Sequence, residues 1–408
     1  METLRKCIRI MKQRIRTMKR YIRILTLCLG ALAAMALLNC TGTPHPAETI
    51  RFYVGSSDGS LSHSIYLCEL DLQQETLAVA DSFAGVRAGS YLALSPEEDF
   101  LFAINQDPAE GAPGQASVTS FSVDPGTLKL KKINSQSSQG SDICHIYCSR
   151  DGKHLFAANY GSGHAAVFPL NGQGEIGPAS SVVVGEGSGP VADRQQGPHA
   201  HQVMLDPGQR YLLVPDLGCD RVWIYAFDAA SGTLTPNPAQ SFFQLAPGAG
   251  PRHLAFHPDG QALYIVCELN STLTACSYQG ADGTISELNT LSTVDASHQG
   301  MKYPAAVRVD PGGAFVYAST RGENSCISAF RIGSDHSVSR IQVVEQVPSW
   351  PRDFNLDPSG KFMLVAGERA NEIRLYRIDT ETGLMTATGT TLALPSPASV
   401  LFITGGSE

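Results

Sequence analysis

The stretch His257-Pro258-Asp259-Gly260-Gln261-Ala262-Leu263 is one of six related phrases in this chain. The others begin near residues 94, 149, 206, 310 and 357, so the phrase recurs every 47–57 residues. In such a phrase Pro presets φ at one corner of a turn, and Gly tolerates a positive φ at the next corner. A repeat of about 50 residues is typical of a propeller or a solenoid.

Short apolar runs flank every copy of the turn. Leu254-Ala255-Phe256 precedes the phrase and Tyr264-Ile265-Val266 follows it, while a third, alternating run such as Glu372–Ile378 comes later in the repeat. A weaker fourth run ends the unit, and no segment has a convincing helical period. The pattern predicts an all-β chain in which each repeat is a four-stranded antiparallel propeller blade.

The two ends of the repeated region complement each other. Arg51-Phe52-Tyr53-Val54-Gly55 resembles a second strand with no first strand before it, and Ser396–Phe402 resembles a first strand with nothing after it. Joining them closes the ring and leaves no open sheet edge. We therefore predict a seven-bladed β-propeller over residues 48–408, in which residues 398–403 complete the first blade.

Residues 1–47 have the composition of an export signal. A basic run ends at Arg23, an uncharged stretch covers residues 24–38, and Leu37-Leu38-Asn39-Cys40 resembles a bacterial lipobox. A charged start, an apolar centre and a short polar exit are the parts of a secretory signal. We predict an exported protein of the bacterial envelope, attached to the membrane through lipidated Cys40. A true start at Met18 would leave Met18-Lys19-Arg20 as a compact basic region of the same signal. The alternatives to export are a retained transmembrane helix and a cytoplasmic location.

Charge and ligand spacing limit the partners. Residues 1–39 carry nine Lys or Arg and one Glu, which leaves 21 basic and 37 acidic side chains in residues 40–408. Nucleic-acid binding needs a surplus of positive charge, so we exclude it. The sequence has no complete metal-ligand spacing, and we expect no metal and no cofactor. It does not determine the oligomeric state, although a monomer is our expectation.

Propeller geometry brings distant residues to one face of the ring. The start of the first strand and the end of the second strand of every blade border the same mouth of the central channel, because the two strands are antiparallel. Polar and ionisable residues concentrate at these positions, which favours a ligand site there. They are His199, His201, Arg252, His253, Arg352, Asn159, Glu268, Asn270, Arg321 and Glu368.

These same motifs resemble a known family. Gly250-Pro251-Arg252-His253-Leu254, followed by Cys267-Glu268-Leu269-Asn270, closely resembles the lactonase family of seven-bladed propellers, and the likeness extends over residues 50–405. That family includes propeller-type 6-phosphogluconolactonases and carboxy-muconate cyclases. The resemblance implies a catalytic set of four residues: His199, Arg252, Glu268 and Arg321. We place six further residues in substrate binding: His201, His253, Asn270, Arg352, Asn159 and Glu368.

The preferred interpretation is a metal-independent lactonase that hydrolyses a sugar lactone, with 6-phospho-D-glucono-1,5-lactone as the expected substrate. Glu268 or a neutral His199 would act as general base, and arginines would hold the oxyanion and the anionic group of the small-molecule lactone. Two alternatives stay open. One is a muconate-type cycloisomerase that forms a lactone with the same residues. The other is a non-catalytic exported propeller that binds a glycan or a protein.

Overall fold

The computed structural model describes residues 49–112 and 114–404, together with Met11. Over the described residues of 49–404, every named secondary-structure element is a β-strand. The 29 strands form seven antiparallel sheets. The predicted export segment, including Cys40, lies outside the described residues. Within the described part, no helix has the length and apolar character needed to cross a membrane.

Each sheet is one blade, and its strands follow one another from the central channel outward. The first contains β29 (Pro397–Phe402), β1 (Thr49–Ser56), β2 (His63–Asp71) and β3 (Thr76–Ala84). The second contains β4 (Leu92–Leu94), β5 (Phe100–Asn105), β6 (Ser117–Val123) and β7 (Leu130–Ser137). The third contains β8 (Ile143–Cys148), β9 (His154–Asn159), β10 (His164–Pro169) and β11 (Ser181–Val184).

The remaining blades follow in chain order. The fourth contains β12 (Met204–Leu205), β13 (Tyr211–Asp216), β14 (Arg221–Asp228), β15 (Thr233–Pro236) and β16 (Phe242–Gln244). The fifth contains β17 (Pro251–Phe256), β18 (Ala262–Cys267), β19 (Thr272–Gln279) and β20 (Thr284–Ser292). The sixth contains β21 (Tyr303–Val309), β22 (Phe315–Arg321), β23 (Cys326–Ile332) and β24 (Val338–Glu345). The seventh contains β25 (Pro351–Leu356), β26 (Phe362–Gly367), β27 (Glu372–Ile378) and β28 (Met385–Ala393).

The fourth blade departs from the four-stranded pattern. Its outer edge is divided into β15 and β16, both of which pair with β14. Pro236 and Pro238 stand where the outer strand is interrupted. A proline has no N–H to give to a sheet ladder, so the interruption falls where these two residues are adjacent to the edge.

The repeated phrase forms the turn between the first two strands of a blade, as predicted. The residue equivalent to Gly260, the fourth of the phrase, has a positive φ in every copy, for example 73° at Gly260 and 71° at Gly313. Two copies place Glu98 and Gln209 in this left-handed conformation instead. The residue before Pro adds a feature that the sequence pattern did not reveal: the carboxylate of Asp357 accepts a hydrogen bond from the Phe362 N–H at 2.7 Å.

Ring closure is confirmed. β29 pairs antiparallel with β1, and Val400 lies opposite Val54. The Phe52 and Phe402 rings pack with their centroids 5.7 Å apart. Seven apolar clusters fill the interfaces between adjacent blades, one in each interface. Loss of β29 would remove Val400 and Phe402 from the apolar cluster between the first and seventh blades. Burying one large apolar side chain stabilises a fold by about 1.5–3 kcal/mol, so this loss would weaken the whole interface.

Candidate active site

A cavity of about 350 Å³ lies at the mouth where inner strands begin and second strands end. Five of the residues predicted from the sequence line it, and they come from four different blades and the connections beside them. These five are His201, Arg252, Glu268, Arg321 and Arg352. The structure therefore brings into one cavity most of the charged residues that the sequence places at the starts of first strands and the ends of second strands.

The opposite mouth has a larger cavity of about 560 Å³. It is lined by turn prolines such as Pro258 and Pro311 and by apolar side chains. Two of its carboxylates, Asp310 and Asp357, accept hydrogen bonds from backbone N–H groups and cap turns. The concentration of paired, buried charges is instead found in the smaller cavity, which we take as the candidate active site.

Glu268 is the centre of this site. It follows β18 directly, its N–H donates to the Gly250 carbonyl at 2.8 Å, and its side chain is buried. Its carboxylate accepts a 2.7 Å hydrogen bond from Arg194 and another from Arg321. The Arg252 Nε lies 3.0 Å from Glu268 Oε2, an ion contact in which the N–H is not aligned with the oxygen.

Three guanidinium groups keep Glu268 ionised. Burial opposes ionisation, but Arg321, Arg252 and Arg194 outweigh it and lower the pKa of Glu268 to about 2. Burial and the neighbouring Arg321 lower the pKa of the Arg252 guanidinium, which nevertheless remains protonated at neutral pH. A carboxylate with so low a pKa is a poor proton acceptor near neutrality, so the arrangement suits Glu268 to holding arginines in place.

Two β-bulges each direct one arginine side chain into the cavity. The register of β17 with β18 shifts between Pro251 and His253, which places Arg252 in the bulge. The same shift occurs between Pro351 and Asp353 in the seventh blade, where Arg352 is the bulged residue. A bulge turns the extra residue away from the ladder, and both arginines line the cavity. Arg252 is held further by a 2.6 Å hydrogen bond from its Nη1 to the Ala305 carbonyl.

His199 has a defined tautomer. Its Nδ1 lies 2.8 Å from the Tyr160 carbonyl oxygen, which can only accept, so Nδ1 carries the proton and Nε2 is an acceptor. The His199 ring stacks on the Tyr160 ring with the centroids 4.5 Å apart, and the His199 backbone N–H donates to Asp216 Oδ1 at 2.7 Å. Tyr160 lines the cavity, and the partly exposed His199 ring stacks on it at the margin of the cavity without being one of the lining residues.

Two other predicted histidines occupy different depths. His201 lines the cavity, and burial together with Arg252 and Arg352 lowers its pKa well below the usual range. His253 lies deeper, with its ring 5.4 Å from that of His201 and its Nε2 3.3 Å from Arg252 Nη1. Burial and Arg252 also lower the pKa of His253 well below the usual range, so both imidazoles are neutral at pH 7, and of the two only His201 lines the cavity.

The polar residues Asn159 and Asn270 are not brought into the cavity. Asn159 is fully buried and bonds to the side chain and the carbonyl of Ser138. Asn270 is exposed and accepts a hydrogen bond from Thr272 Oγ1. Neither residue is among those that line the cavity, and the substrate-binding role predicted for them stays a prediction. Glu368 does not line the cavity itself, but its Oε2 lies 3.6 Å from Nη1 of Arg352, which does.

Arg194 is a charged residue of the cavity that the sequence did not reveal, and it pairs with Glu268. It lines the cavity from the irregular connection between β11 and β12, which has no equivalent in the other blades. Gln195 anchors this connection, since its side-chain amide donates to the Leu217 carbonyl at 2.8 Å and to Asp220 at 2.7 Å. Tyr160, Gln106 and Cys144 also line the cavity, and each follows a second strand or begins a first strand.

Comparisons with known proteins agree with this architecture. A family model described as "Lactonase, 7-bladed beta-propeller" matches residues 51–402. A 6-phosphogluconolactonase of Bacillus subtilis is 31% identical over 352 residues, which is 86% of this chain and 97% of that protein. The structure of a periplasmic gluconolactonase from Pseudomonas aeruginosa superimposes with a TM-score of 0.81 and 26% identity, over 87% of this chain and 99% of the other. A Lactobacillus plantarum protein superimposes with a TM-score of 0.80 and 28% identity, over 87% of this chain and 99% of that chain.

Proposed function

Because the chain belongs to the family of seven-bladed β-propeller lactonases, we propose that it hydrolyses the ester bond of a sugar lactone in the cavity around Glu268. The observation that carries the proposal is the contact of three arginines, from three separate parts of the chain, with this one buried carboxylate. The network holds donors rigidly around a cavity of suitable size for a small sugar derivative, and rigid donors stabilise developing negative charge at low reorganisation cost.

The reaction requires one water molecule and one proton acceptor. We assign the acceptor role to His199 Nε2, because the Tyr160 carbonyl keeps the proton on Nδ1 and Glu268 is too weak a base. Water attacks the lactone carbonyl carbon and its proton passes to the imidazole. The tetrahedral oxyanion then collapses, the ring C–O bond breaks, and the imidazolium returns the proton to the departing ring oxygen. The product is a hydroxy acid.

We assign binding of the oxyanion to Arg252 and Arg321. Both are buried, so their charges act in a medium of low dielectric constant. Glu268 offsets part of their mutual repulsion and fixes their orientation. His201 contributes a neutral polar surface to the cavity, which suits contact with sugar hydroxyl groups.

Arg352 supports a phosphorylated substrate. It lines the cavity with a partly exposed guanidinium, and its nearest carboxylate, Glu368, is 3.6 Å away. A guanidinium that is only loosely paired can still give two parallel N–H donors to a phosphate. We therefore propose 6-phospho-D-glucono-1,5-lactone as substrate and 6-phosphogluconate as product. Unphosphorylated gluconolactone is the second candidate, favoured by the similarity to the periplasmic gluconolactonase.

The deciding assay gives the purified protein freshly prepared 6-phosphogluconolactone, gluconolactone and a carboxy-muconate side by side. We expect the phosphorylated lactone to be consumed faster than its spontaneous decay and with the highest kcat/KM. Turnover of gluconolactone alone would replace the substrate assignment. Turnover of neither lactone would refute the proposed activity.

We also propose that the protein is exported and anchored through Cys40, on the composition of residues 1–47. Fractionation of cells that produce the full chain should place it in the envelope membrane fraction. Cys40→Ser should release it from that fraction. Recovery of the unaltered chain in the cytoplasm would contradict the proposal.

A further inference from the structure

Two histidines and an aspartate meet on the face of the ring opposite the candidate active site. His257 and Asp259 belong to the turn between β17 and β18, and His336 belongs to the turn between β23 and β24 of the next blade. In each blade these two turns lie on the same face, because successive strands run antiparallel. One potential ligand atom from each residue lies within 4.8 Å of the other two.

Asp259 bridges the two imidazoles. Its Oδ1 lies 2.8 Å from His257 Nδ1, and its Oδ2 lies 2.8 Å from His336 Nε2. The side chains are partly buried, with 14% of His257, 22% of His336 and 35% of Asp259 exposed. The cluster is therefore held in place by the protein and is still open to solvent on one side.

The second nitrogen of His257 defines the role of the first. His257 Nε2 lies 2.9 Å from the Gly313 carbonyl oxygen, so Nε2 carries a proton and donates it to that oxygen. Histidines that bind metals almost always donate their other N–H to a carbonyl or a carboxylate in this way. In the neutral ring, Nδ1 then has its lone pair directed toward the Asp259 side chain.

That lone pair meets two incompatible partners. The Asp259 backbone N–H approaches His257 Nδ1 at 3.3 Å and would donate to it, whereas the Asp259 carboxylate at 2.8 Å can only accept. A neutral imidazole cannot satisfy the carboxylate, because both atoms are acceptors. A cation between Nδ1, the carboxylate and His336 would satisfy all three ligand atoms together.

We propose that His257, Asp259 and His336 form a binding site for a divalent first-row transition metal of the zinc class, distinct from the lactone site. Imidazole and carboxylate together suit such ions better than Ca²⁺ or Mg²⁺, which prefer oxygen ligands. Bonds of about 2.0–2.1 Å in a tetrahedron place ligand atoms about 3.4 Å apart, so metal entry requires each of the two 2.8 Å histidine–carboxylate contacts to lengthen by about 0.6 Å. Water would fill the open position.

The metal would connect two blades. Two ligands come from the fifth blade and one from the sixth, and the carbonyl that orients His257 also belongs to the sixth. A bound ion stabilises the folded state because the ligands are brought together only in that state. We expect the site to stabilise this interface without taking part in lactone hydrolysis.

Calorimetric titration of the tag-free, chelator-treated protein with Zn²⁺ tests the proposal. We expect one site per chain, a higher thermal unfolding temperature in the presence of Zn²⁺, and no comparable response to Ca²⁺. His336→Gln should weaken Zn²⁺ affinity at least about tenfold and remove the thermal shift. His63→Gln, which changes an exposed histidine hydrogen-bonded to Ser82, is the matched control and should bind as the unaltered chain does.

The readouts are separable from the proposed catalytic function, because metal affinity and unfolding temperature require no lactone. Absence of Zn²⁺ binding at this stoichiometry would show that the cluster is a histidine–aspartate ion pair only and would overturn the proposal. Equal affinity in the unaltered chain and in His336→Gln would do the same, since the ion would then be bound elsewhere.

Discussion

The Arg194 guanidinium lies 2.7 Å from Glu268 Oε1, although 74 residues separate the two along the chain. Arg194 is about a third exposed, whereas Glu268 and the other two arginines in contact with it are almost fully buried. The site therefore contains a buried group of three residues, Glu268, Arg252 and Arg321. The fourth, Arg194, is more exposed and contacts Glu268 from the connection between β11 and β12. Because Arg194 is more exposed than the other three residues, a substitution at Arg194 can change activity without lowering the stability of the fold, whereas a substitution at Glu268 changes both.

Arg194→Gln should reduce kcat/KM for the lactone substrate by roughly tenfold to a hundredfold and leave the unfolding temperature nearly unchanged. Arg194 lines the cavity, and we expect it to donate a charge-assisted hydrogen bond to the substrate. Loss of such a bond costs about 1.5–3 kcal/mol, which corresponds to this range, whereas the partly exposed ion pair with Glu268 contributes little to stability. Steady-state kinetics with thermal unfolding measures both effects. Arg221→Gln is the control, since Arg221 stacks on Phe242 and does not line the cavity. Equal kinetics in Arg194→Gln and the unaltered chain would contradict a role in the site.

Glu268→Gln should lower the free energy of unfolding by about 3–5 kcal/mol at pH 7, because Arg252 and Arg321 would lose their buried partner. The effect should depend on pH. The pKa of Glu268 in the folded chain is about 2, below its ordinary value of 4.5, so its ionisation stabilises the fold above pH 4.5 and that contribution is lost as the pH falls toward 2.

Denaturant unfolding of both proteins between pH 2 and pH 8 measures this dependence. The difference between the unaltered chain and Glu268→Gln should be constant above pH 5 and should narrow progressively below pH 4.5. A difference that stays constant down to pH 2 would show that Glu268 is not held ionised by the arginines.

His199→Gln should lower kcat by about 10²–10⁴-fold with little change in KM, because general-base catalysis is lost and the rim is otherwise unchanged. His201→Gln is the comparison and should act mainly on KM, since His201 lines the cavity as a neutral ring. The reverse result would transfer the role of proton acceptor from His199 to His201.

Arg352→Gln should raise KM for 6-phosphogluconolactone at least about tenfold and leave KM for gluconolactone nearly unchanged. Arg352 lines the cavity and is only loosely paired with Glu368, so its loss removes donors to a phosphate rather than an internal support. Parallel kinetics on the two lactones measures the ratio. Equal changes for both substrates would remove the phosphate assignment of Arg352.

Truncation after Pro395 should destabilise the whole ring rather than one end. β29 pairs with β1 and covers the interface between the first and seventh blades, so its removal exposes an edge and an apolar cluster. Hydrogen exchange should accelerate in all seven blades, whereas a chain ending at Thr404 should retain the native pattern. Acceleration confined to the first blade would show that the blades are independent.

Periodicity made most of the fold predictable. The Pro-Gly turns, the alternating runs and the two incomplete ends indicated seven blades and the closing strand, since local turn chemistry repeats in every blade. The interruption between β15 and β16 was missed, because a single blade departs from an average pattern. Rim positions such as Arg252, Glu268 and Arg321 were predictable for the same reason: equivalent places in each repeat project to one mouth.

By itself, then, the sequence determined the seven-bladed ring, its closure and the mouth at which the charged residues gather. Only the tertiary structure decided the rest: the position of Arg194 in the cavity lining, the positions of Asn159 and Asn270 outside that lining, the tautomer of His199 and the contact of His257 and His336 through Asp259. Turn and strand patterns depend on residues close together in the chain. Protonation, ion pairing and burial depend on distances through space between residues that no repeat relates.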